Sequence, residues 1–379
     1  MLCAIYLVSV VVRAGTLREL IQPSWGGHMG YDGQFTYFYA LDPLTAPDKV
    51  GSVCFRQTFL PRYVFQPDLH KFYQPLWECD FPAYRAQRIL HAAISRVFSF
   101  GQPDLVILAM TLTNLLALGL GTAAVAGVLQ SIGVNKWFAL LFGLTPGFFL
   151  APSTNTTETV AYALVALALY AHTRKQIGWM SVFFALAALA KETTLFFPAS
   201  YCASLLFNRQ WRAMFLVGSV SLLPFLAWQG VLYGWLGAFG IGSGGAGGTP
   251  FEIIPYNGVF WLLRSDDLAY RARGVITVLT ILIPSVWAML YTLRDLFGAR
   301  NPQTRLFAWL LLANAVVMPF VPLSTYFSQF AIARFLPGFA LAVLVYAAQV
   351  RRQRPSVWRF AIAFGVLWVL WMFLLAQAL

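Results

Sequence analysis

Long apolar segments that carry almost no charge are the feature of this chain that most constrains its fold. A helix needs about 20 mainly apolar residues to cross a bilayer. Hydrophobic residues make up 59% of the chain and charged residues 11%, against about 25% charged residues in soluble domains. We therefore predict an all-α polytopic membrane protein with about 11 transmembrane helices. The predicted spans lie near residues 2–12, 104–130, 137–152, 157–173, 177–190, 193–207, 213–236, 272–293, 306–322, 331–350 and 357–378.

The first predicted span, 2–12, is too short to cross a bilayer by itself, because a helix of that length rises only ~17 Å. Either the true N-terminus lies upstream, or the helix continues through Arg13 to Ile21. A signal peptide is the rival interpretation, but a small-residue cleavage pattern is missing, and Arg18 and Glu19 follow directly. We expect an uncleaved first helix.

The basic residues are unevenly distributed between the two sides of this predicted topology. With the N-terminus in the cytoplasm, the cytoplasmic loops contain twelve basic residues and one acid, Asp295, whereas the other side contains 14 basic and 13 acidic residues. This asymmetry is typical of membrane proteins. The net charge of +12 is therefore explained by the basic residues of the cytoplasmic loops, and no nucleic-acid partner is expected. Nearly every carboxylate, including Asp32 and Asp42, faces outward, and we expect the function on that side.

Two outer segments differ in composition from the apolar spans, although we treat residues 1–379 as a single transmembrane domain. Residues 14–103 form the predicted first extracytoplasmic loop. Within it, residues 84–98 have the pattern of an amphipathic helix that lies along the membrane surface, with Arg85 and Arg88 at the height of the lipid headgroups. Residues 237–271 begin with a glycine-rich run, which indicates a flexible flap over an outer cleft. Its GIGSGG fits a dinucleotide-binding pattern, but no strand precedes it.

The cysteines leave the question of a disulfide open. Cys54 and Cys79 both fall in the first outer loop, where an oxidising compartment would allow a bridge. Cys3 and Cys202 fall in predicted spans, so the chain also tolerates free thiols.

Asp32 is the candidate general base. It lies in YDGQF, where Gly33 gives the backbone freedom to turn and Gln34 supplies an amide. Aromatic residues such as Tyr31 surround it, and partial desolvation raises the basicity of a carboxylate. The alternative is an Asx turn that caps the next helix. Asp42 precedes a proline and is more typical of a turn, although we keep it as a substrate-binding candidate.

Four further charged residues are expected at the outer ends of the spans: Glu158, Lys191, Glu192 and Arg334. Glu158 emerges on the same face as Asp32, but it can also interact with the N-terminal dipole of its own helix. Lys191 and Glu192 separate two apolar runs, where charges line a cavity or pair, although a lysine can also extend to the interface. Arg334 lies several residues inside an apolar run, and its planar fork suits a phosphate.

Other kinds of site lack the necessary residues. The four histidines, His28, His70, His91 and His172, include no two with ligand spacing on one helix, so no metal site is predicted. No serine-hydrolase, nucleotide-triphosphatase or zincin motif occurs.

The ordered set of charged residues resembles the membrane-embedded GT-C glycosyltransferases, which include protein O-mannosyltransferases, the aminoarabinose transferase of lipid A and oligosaccharyltransferase catalytic subunits. The resemblance rests on Asp32 in GYDGQF, the long first outer loop, Glu158 in the second outer loop, Lys191 in LAALAKETTLFFP and Arg334 in ARFLPG. It covers residues 1–210 well and the remainder in outline. YDGQFTYFYALDP together with YRAQRIL is similar to a bacterial branch of unknown substrate. The paired acids usual in the class are absent, which puts metal dependence in doubt, since one carboxylate makes a poor divalent site.

The resemblance implies a bacterial inner-membrane enzyme whose active site faces the periplasm or exterior. Its donor would be a polyprenyl-phosphate sugar, and its acceptor a hydroxyl of a glycan, lipid or protein. Asp32 would take the proton of that hydroxyl. Tyr31, Gln34, Asp42, Glu158 and Glu192 would bind substrate, and the lipid phosphate would be held by Arg334, Lys191, Arg85 and Arg88.

Two other functions remain open from the sequence. A transporter or flippase for a lipid-linked or anionic solute would use Lys191, Glu192 and Arg334 along its pathway. Such a pathway needs charges near the bilayer midplane, whereas these residues are expected near the outer ends of spans. A non-catalytic scaffold of a cell-envelope assembly would tolerate the loss of the Asp32 carboxylate.

Overall fold

The structure, a computed structural model, describes residues 32–56, 77–242, 251–299 and 301–377. The predicted span at 2–12, Tyr31 and the glycine-rich residues 243–250 lie outside these ranges. The described chain is helical almost throughout, apart from one pair of short strands. The all-α class is therefore confirmed, as expected where lipid cannot hydrogen-bond to the backbone.

The first outer loop contains short elements. They are the helices α1 (Gly33–Leu41) and α2 (Ala46–Gly51), the strands β1 (Cys54–Arg56) and β2 (Trp77–Cys79), and the helices α3 (Pro82–Ala86) and α4 (Ile89–Phe98). The strands pair antiparallel with Cys54 opposite Cys79, and a disulfide joins these two cysteines. Of the two alternatives for these cysteines, the bridged one is the one that the structure contains.

The middle of the chain consists of seven α-helices and two 3₁₀ turns. The helices are α5 (Pro103–Ser131), α6 (Leu140–Gly143), α7 (Pro146–Thr154), α8 (Glu158–Thr173), α9 (Ile177–Ala190), α10 (Phe196–Phe207) and α11 (Trp211–Leu236). The turns are Lys136–Ala139 and Glu192–Leu195. Proline begins α3, α5 and α7, where its missing N–H costs no helix hydrogen bond.

The last third of the described chain contains eight α-helices. They are α12 (Asn257–Arg264), α13 (Leu268–Thr277), α14 (Ile283–Gly298), α15 (Pro302–Val317), α16 (Leu323–Phe327), α17 (Gln329–Ala333), α18 (Leu336–Val350) and α19 (Pro355–Gln377). A π-helical turn at Val278–Leu282 joins α13 to α14, and a 3₁₀ turn at Met318–Phe320 extends α15.

Six helical segments in the described residues are long and apolar enough to cross a membrane. They are Pro103–Ser131, Trp211–Leu236, Leu268–Gly298, Pro302–Phe320, Gln329–Val350 and Pro355–Phe373. All six coincide with predicted spans. The predicted spans at 137–152, 157–173, 177–190 and 193–207 are shorter helices, of which the longest, α8, has 16 residues and extends ~24 Å. The structure therefore supports a multi-pass membrane protein, and the larger number of crossings stays a prediction.

Segment Gln329–Val350 lies at the centre of the helix bundle. In its most apolar 18-residue stretch, 83% is buried inside the protein. The corresponding stretch of Trp211–Leu236 is only 28% buried. Small residues permit the closest helix contacts, as is usual where lipid removes the hydrophobic drive for packing. Where α5 meets α8, a Cβ added at Gly121 would lie 2.9 Å from the Cα of Ala163. These helices bring the starts of α8 and α18 near each other.

The predicted amphipathic helix at 84–98 differs from the prediction in two respects. It is broken between α3 and α4, at Gln87 and Arg88. In α4 the polar residues His91 and Ser95 are buried, while Val97 and Phe98 are exposed. Arg85 and Arg88 also turn into the protein instead of lying at the headgroups, because they pair there with the carboxylates of Asp80 and Glu192.

Candidate functional site

Asp32 immediately precedes α1, and the packing of its neighbour explains its position. A Cβ added at Gly33 would lie 1.8 Å from the carbonyl oxygen of Thr154 at the end of α7. Only a glycine allows this contact, so Gly33 serves close packing and not the turn expected from the sequence. The Asp32 side chain makes no capping hydrogen bond to α1, which removes the helix-cap interpretation.

The Asp32 carboxylate instead lies between two guanidinium groups. Its Oδ1 is 3.1 Å from Nη1 of Arg85, and its Oδ2 accepts a hydrogen bond of 2.6 Å from Nη1 of Arg334. Arg334 is 302 positions away in the sequence, so the fold brings the first loop against the central helix. The resemblance implies that Asp32 and Arg334 act on the same substrates, and the structure brings the two side chains into direct contact.

Arg85 is held by a second carboxylate that the sequence analysis missed. Its Nε donates to both oxygens of Asp80 at 3.0 Å, and its Nη2 donates to Oδ2 of Asp80 at 2.6 Å. Its guanidinium also lies 4.1 Å from the ring centroid of Phe35. Asp80 is 3% exposed, and its position directly after Cys79 of the bridge is the signal that could have identified it.

Arg334 links Asp32 to Glu158, the first residue of α8. Nε of Arg334 donates to Oε1 of Glu158 at 2.6 Å, and Nζ of Lys191 donates to the same oxygen at 2.7 Å. Glu158 is fully buried and Lys191 is 4% exposed. Lys191 therefore does not extend to the interface, and Glu158 does more than face its own helix dipole.

Arg88 and Glu192 form the neighbouring pair. Nε and Nη2 of Arg88 donate to the two oxygens of Glu192 at 2.8 and 2.6 Å. Nη2 of Arg88 also donates to the hydroxyl of Tyr84 at 3.0 Å. This bidentate geometry is the strong form of an arginine–carboxylate contact, and it connects the first outer loop to the turn after α9.

We call these residues the charged cluster; its members are Asp32, Asp80, Arg85, Arg88, Glu158, Lys191, Glu192 and Arg334. It contains four acids and four bases, so its formal charge is zero. Every carboxylate in it contacts a cation. Pairing of this kind is what makes buried charge tolerable, since an isolated one is costly to remove from water.

One predicted site residue lies apart from these contacts, and another lies outside the described residues. Asp42 accepts hydrogen bonds from the backbone N–H of Leu44 and the hydroxyl of Thr45. It therefore forms the turn that its proline neighbour indicated, and its substrate-binding role has no support in this geometry. Gln34 is 6% exposed within α1. Tyr31 is outside the described ranges.

The protonation of Asp32 differs from the expectation drawn from its aromatic neighbours. Burial raises the pKa of the Asp32 carboxyl, but the charges of Arg85 and Arg334 outweigh burial and hold that pKa well below its ordinary value of 3.8. In this arrangement Asp32 is a carboxylate at any physiological pH and a weak base. The expectation of raised basicity is wrong for this state of the site, because the sequence did not show two guanidiniums on one carboxylate.

A small cavity lies beside Asp32. It has a volume of about 20 Å³ and is lined by Asp32, Phe35, Thr36, Arg85, Arg88, Thr156, Thr157 and Arg334. Such a volume admits about one water molecule, whereas pockets for small ligands measure roughly 300–1,000 Å³. Asp32 and Arg334 therefore share a pocket as expected, but a sugar phosphate enters it only if the site opens.

The charged cluster lies at helix ends rather than within the bundle. Glu158 begins α8, Lys191 follows α9, and Arg334 lies between α17 and α18. In the described residues, no group of three or more His, Cys, Asp or Glu side chains is arranged to hold a metal ion. Each carboxylate is directed at an arginine or a lysine, so an incoming anion has to compete with these carboxylates for the cations.

The chain matches no protein-family model, no curated protein and no solved structure.

Proposed function

We propose that this chain is a glycosyltransferase of the GT-C type, which moves a sugar from a polyprenyl-phosphate donor to an acceptor hydroxyl. The observation that carries the proposal is the position of Asp32, whose carboxylate is in direct contact with Arg334 and Arg85. A transferase of this kind needs a base for the acceptor and cations for the leaving phosphate, within one sugar's reach of each other. The charged cluster contains both.

The chemistry uses each group once. The acceptor oxygen attacks the anomeric carbon while Asp32 takes the acceptor proton. The bond between that carbon and the phosphate oxygen breaks, and polyprenyl phosphate leaves. Arg334 and Arg85 hold the phosphate and stabilise its developing charge, which electrostatics does well away from bulk water. Lys191 supports Arg334 through their shared partner Glu158, and Arg88, which is paired with Glu192, lines the same cavity.

The low pKa of Asp32 fits this chemistry if donor binding precedes proton transfer. A phosphate that takes the N–H groups of Arg334 and Arg85 releases the Asp32 carboxylate from both. Once the cations are neutralised by phosphate, the pKa of Asp32 rises toward the value that suits a base. The resting site is thus paired and inactive, and the donor activates it.

The distribution of charge along the helices favours an enzyme over a transporter. The charged cluster lies at the ends of α8, α9 and α18, whereas a permeation pathway requires charged residues near the midplane. The disulfide of the first loop agrees with an oxidising compartment. We therefore propose about 11 crossings, a bacterial inner membrane and an active site on the periplasmic or outer face.

The experiment supplies purified protein with a panel of radiolabelled polyprenyl-phosphate sugars, together with glycan, lipid and peptide acceptors. We expect the wild type to consume at least one donor and the Asp32→Asn variant to consume none. Asp42→Asn is the matched control, because it removes an exposed carboxylate that contacts only its own turn.

Two results would contradict the proposal. Consumption by Asp32→Asn at the wild-type rate would remove the proposed base. Inertness toward every donor, combined with counterflow of a solute in proteoliposomes, would identify a transporter.

A further inference from the structure

A second group of polar and charged residues lies at the opposite end of the central helix. Arg334 stands just before α18, and Arg354 stands just after it. The chain between them is helical for most of its length and extends ~30 Å, which is the thickness of the hydrocarbon core of a bilayer. The two groups therefore lie near opposite surfaces of the membrane.

A cavity of about 390 Å³ opens at this end, between the end of α14, the start of α15 and the end of α18. Its polar lining residues are Arg294, Asp295, Asn301, Thr304, Gln353 and Arg354. The volume is in the range of small-ligand pockets, and it is about twenty times that of the cavity at Asp32.

Arg354 is fixed in this cavity with part of its hydrogen-bonding capacity unused. Its Nη2 donates to Oδ1 of Asp295, and Oδ2 of Asp295 accepts a hydrogen bond of 2.8 Å from the hydroxyl of Tyr346. Its Nη1 is buried and has no partner in the described part of the chain. Arg354 lines the cavity and its side chain is 25% exposed, so part of its guanidinium stays accessible to a ligand.

Arg294 supplies a second guanidinium to the same cavity. It is exposed, and the structure shows no hydrogen bond or ion pair from it to another described residue. Asp295 is 2% exposed, and both of its oxygens are engaged by Arg354 and Tyr346. The cavity therefore has an excess of positive charge, with hydroxyl and amide groups of Thr304 and Asn301 beside it.

We propose that this cavity binds a phosphate-bearing anion, held by the guanidinium groups of Arg294 and Arg354. Guanidinium groups bind phosphate through charge-assisted hydrogen bonds, and basic pockets between helices at a membrane surface bind anionic headgroups. The phosphate has two possible sources, which are the headgroup of an anionic phospholipid and a soluble phosphate ester. The site is independent of the proposed glycosyl transfer.

The first arm of the experiment measures lipid retention by native mass spectrometry of the full chain in neutral detergent. The probes are phosphatidylglycerol and phosphatidylcholine with identical acyl chains. We expect preferential retention of phosphatidylglycerol, weakened about tenfold in Arg294→Gln, the loss expected for one charge-assisted hydrogen bond. The control is Arg359→Gln, which removes an exposed arginine near the same end of α18 that does not line the cavity.

The second arm titrates the same proteins with glycerol phosphate and inorganic phosphate by calorimetry. Binding that depends on Arg294, without a lipid preference in the first arm, identifies a soluble phosphate ester as the ligand. Equal weakening by Arg294→Gln and Arg359→Gln would mean diffuse surface attraction and would overturn the site. Absence of binding in both arms would overturn it too, and neither result depends on transferase activity.

Discussion

Replacing Asp32 with asparagine should strengthen the binding of phosphate to the charged cluster, even though it abolishes the proposed transfer. Asp32 accepts a hydrogen bond from Arg334 and forms an ion pair with Arg85, and a phosphate needs these same two guanidinium groups. Asparagine keeps the shape of the side chain but removes its charge. The incoming phosphate then displaces a neutral amide instead of a carboxylate.

The size of the effect follows from the charge and exposure of the cluster. The substitution changes its formal charge from zero to +1. Hydrogen bonds to charged groups contribute about 1.5–3 kcal/mol each, but the Asp32 side chain is 32% exposed and solvent screens part of this. We expect a gain of about 1–2 kcal/mol, which is roughly 5- to 30-fold in affinity.

The assay is calorimetric titration of detergent-solubilised protein with a short-chain prenyl phosphate at two salt concentrations. Asp42→Asn is the control, since it removes the same charge from the same loop without contact to either arginine. Unchanged or weaker phosphate binding by Asp32→Asn, with an unaltered melting temperature, would refute the idea that Asp32 competes with phosphate.

Three further predictions concern stability. Glu158→Gln leaves Lys191, which is 4% exposed, without a carboxylate, so we expect a loss of about 3–5 kcal/mol, seen as a lower melting temperature that Glu158→Gln with Lys191→Met partly restores. Burial lowers the pKa of His91 from 6.5 to about 4. As the pH falls from about 6.5 to about 4, the wild type should therefore lose up to about 3 kcal/mol of unfolding free energy. Denaturant titration measures this loss, which His91→Gln should not show. Gly33→Ala places a Cβ 1.8 Å from the carbonyl oxygen of Thr154 and should cost about 1–3 kcal/mol by the same measurement.

The meeting of Asp32 and Arg334 was predictable because it follows from sidedness. Basic residues that collect on one side of a membrane indicate the direction of each span, and the direction indicates which helix ends lie on the same side. Charged residues at those ends then gather, since each is costly unless paired. The side of the membrane on which a helix end lies does not depend on the separation in sequence, so residues 302 positions apart can be expected on one side.

The partners of Arg85 and Arg88 could not be predicted in the same way. The sequence pattern places both arginines on the polar face of one surface helix, and such a face is expected to contact water or headgroups. The chain breaks between α3 and α4, so the two side chains follow different axes. Their carboxylate partners, Asp80 and Glu192, lie in segments that have no helical periodicity, and periodicity cannot place such residues.

The pairing of every carboxylate in the charged cluster has a consequence for the order of events in the proposed reaction. Two guanidiniums hold the pKa of the Asp32 carboxyl below its ordinary value. In this state Asp32 is too weak a base to take the proton of an acceptor hydroxyl beside it. Only an anion that takes over Arg334 and Arg85 changes this. The donor phosphate is such an anion, so donor binding must precede activation of the acceptor. As long as no donor is bound, Asp32 stays paired with the two guanidiniums and does not act as a base.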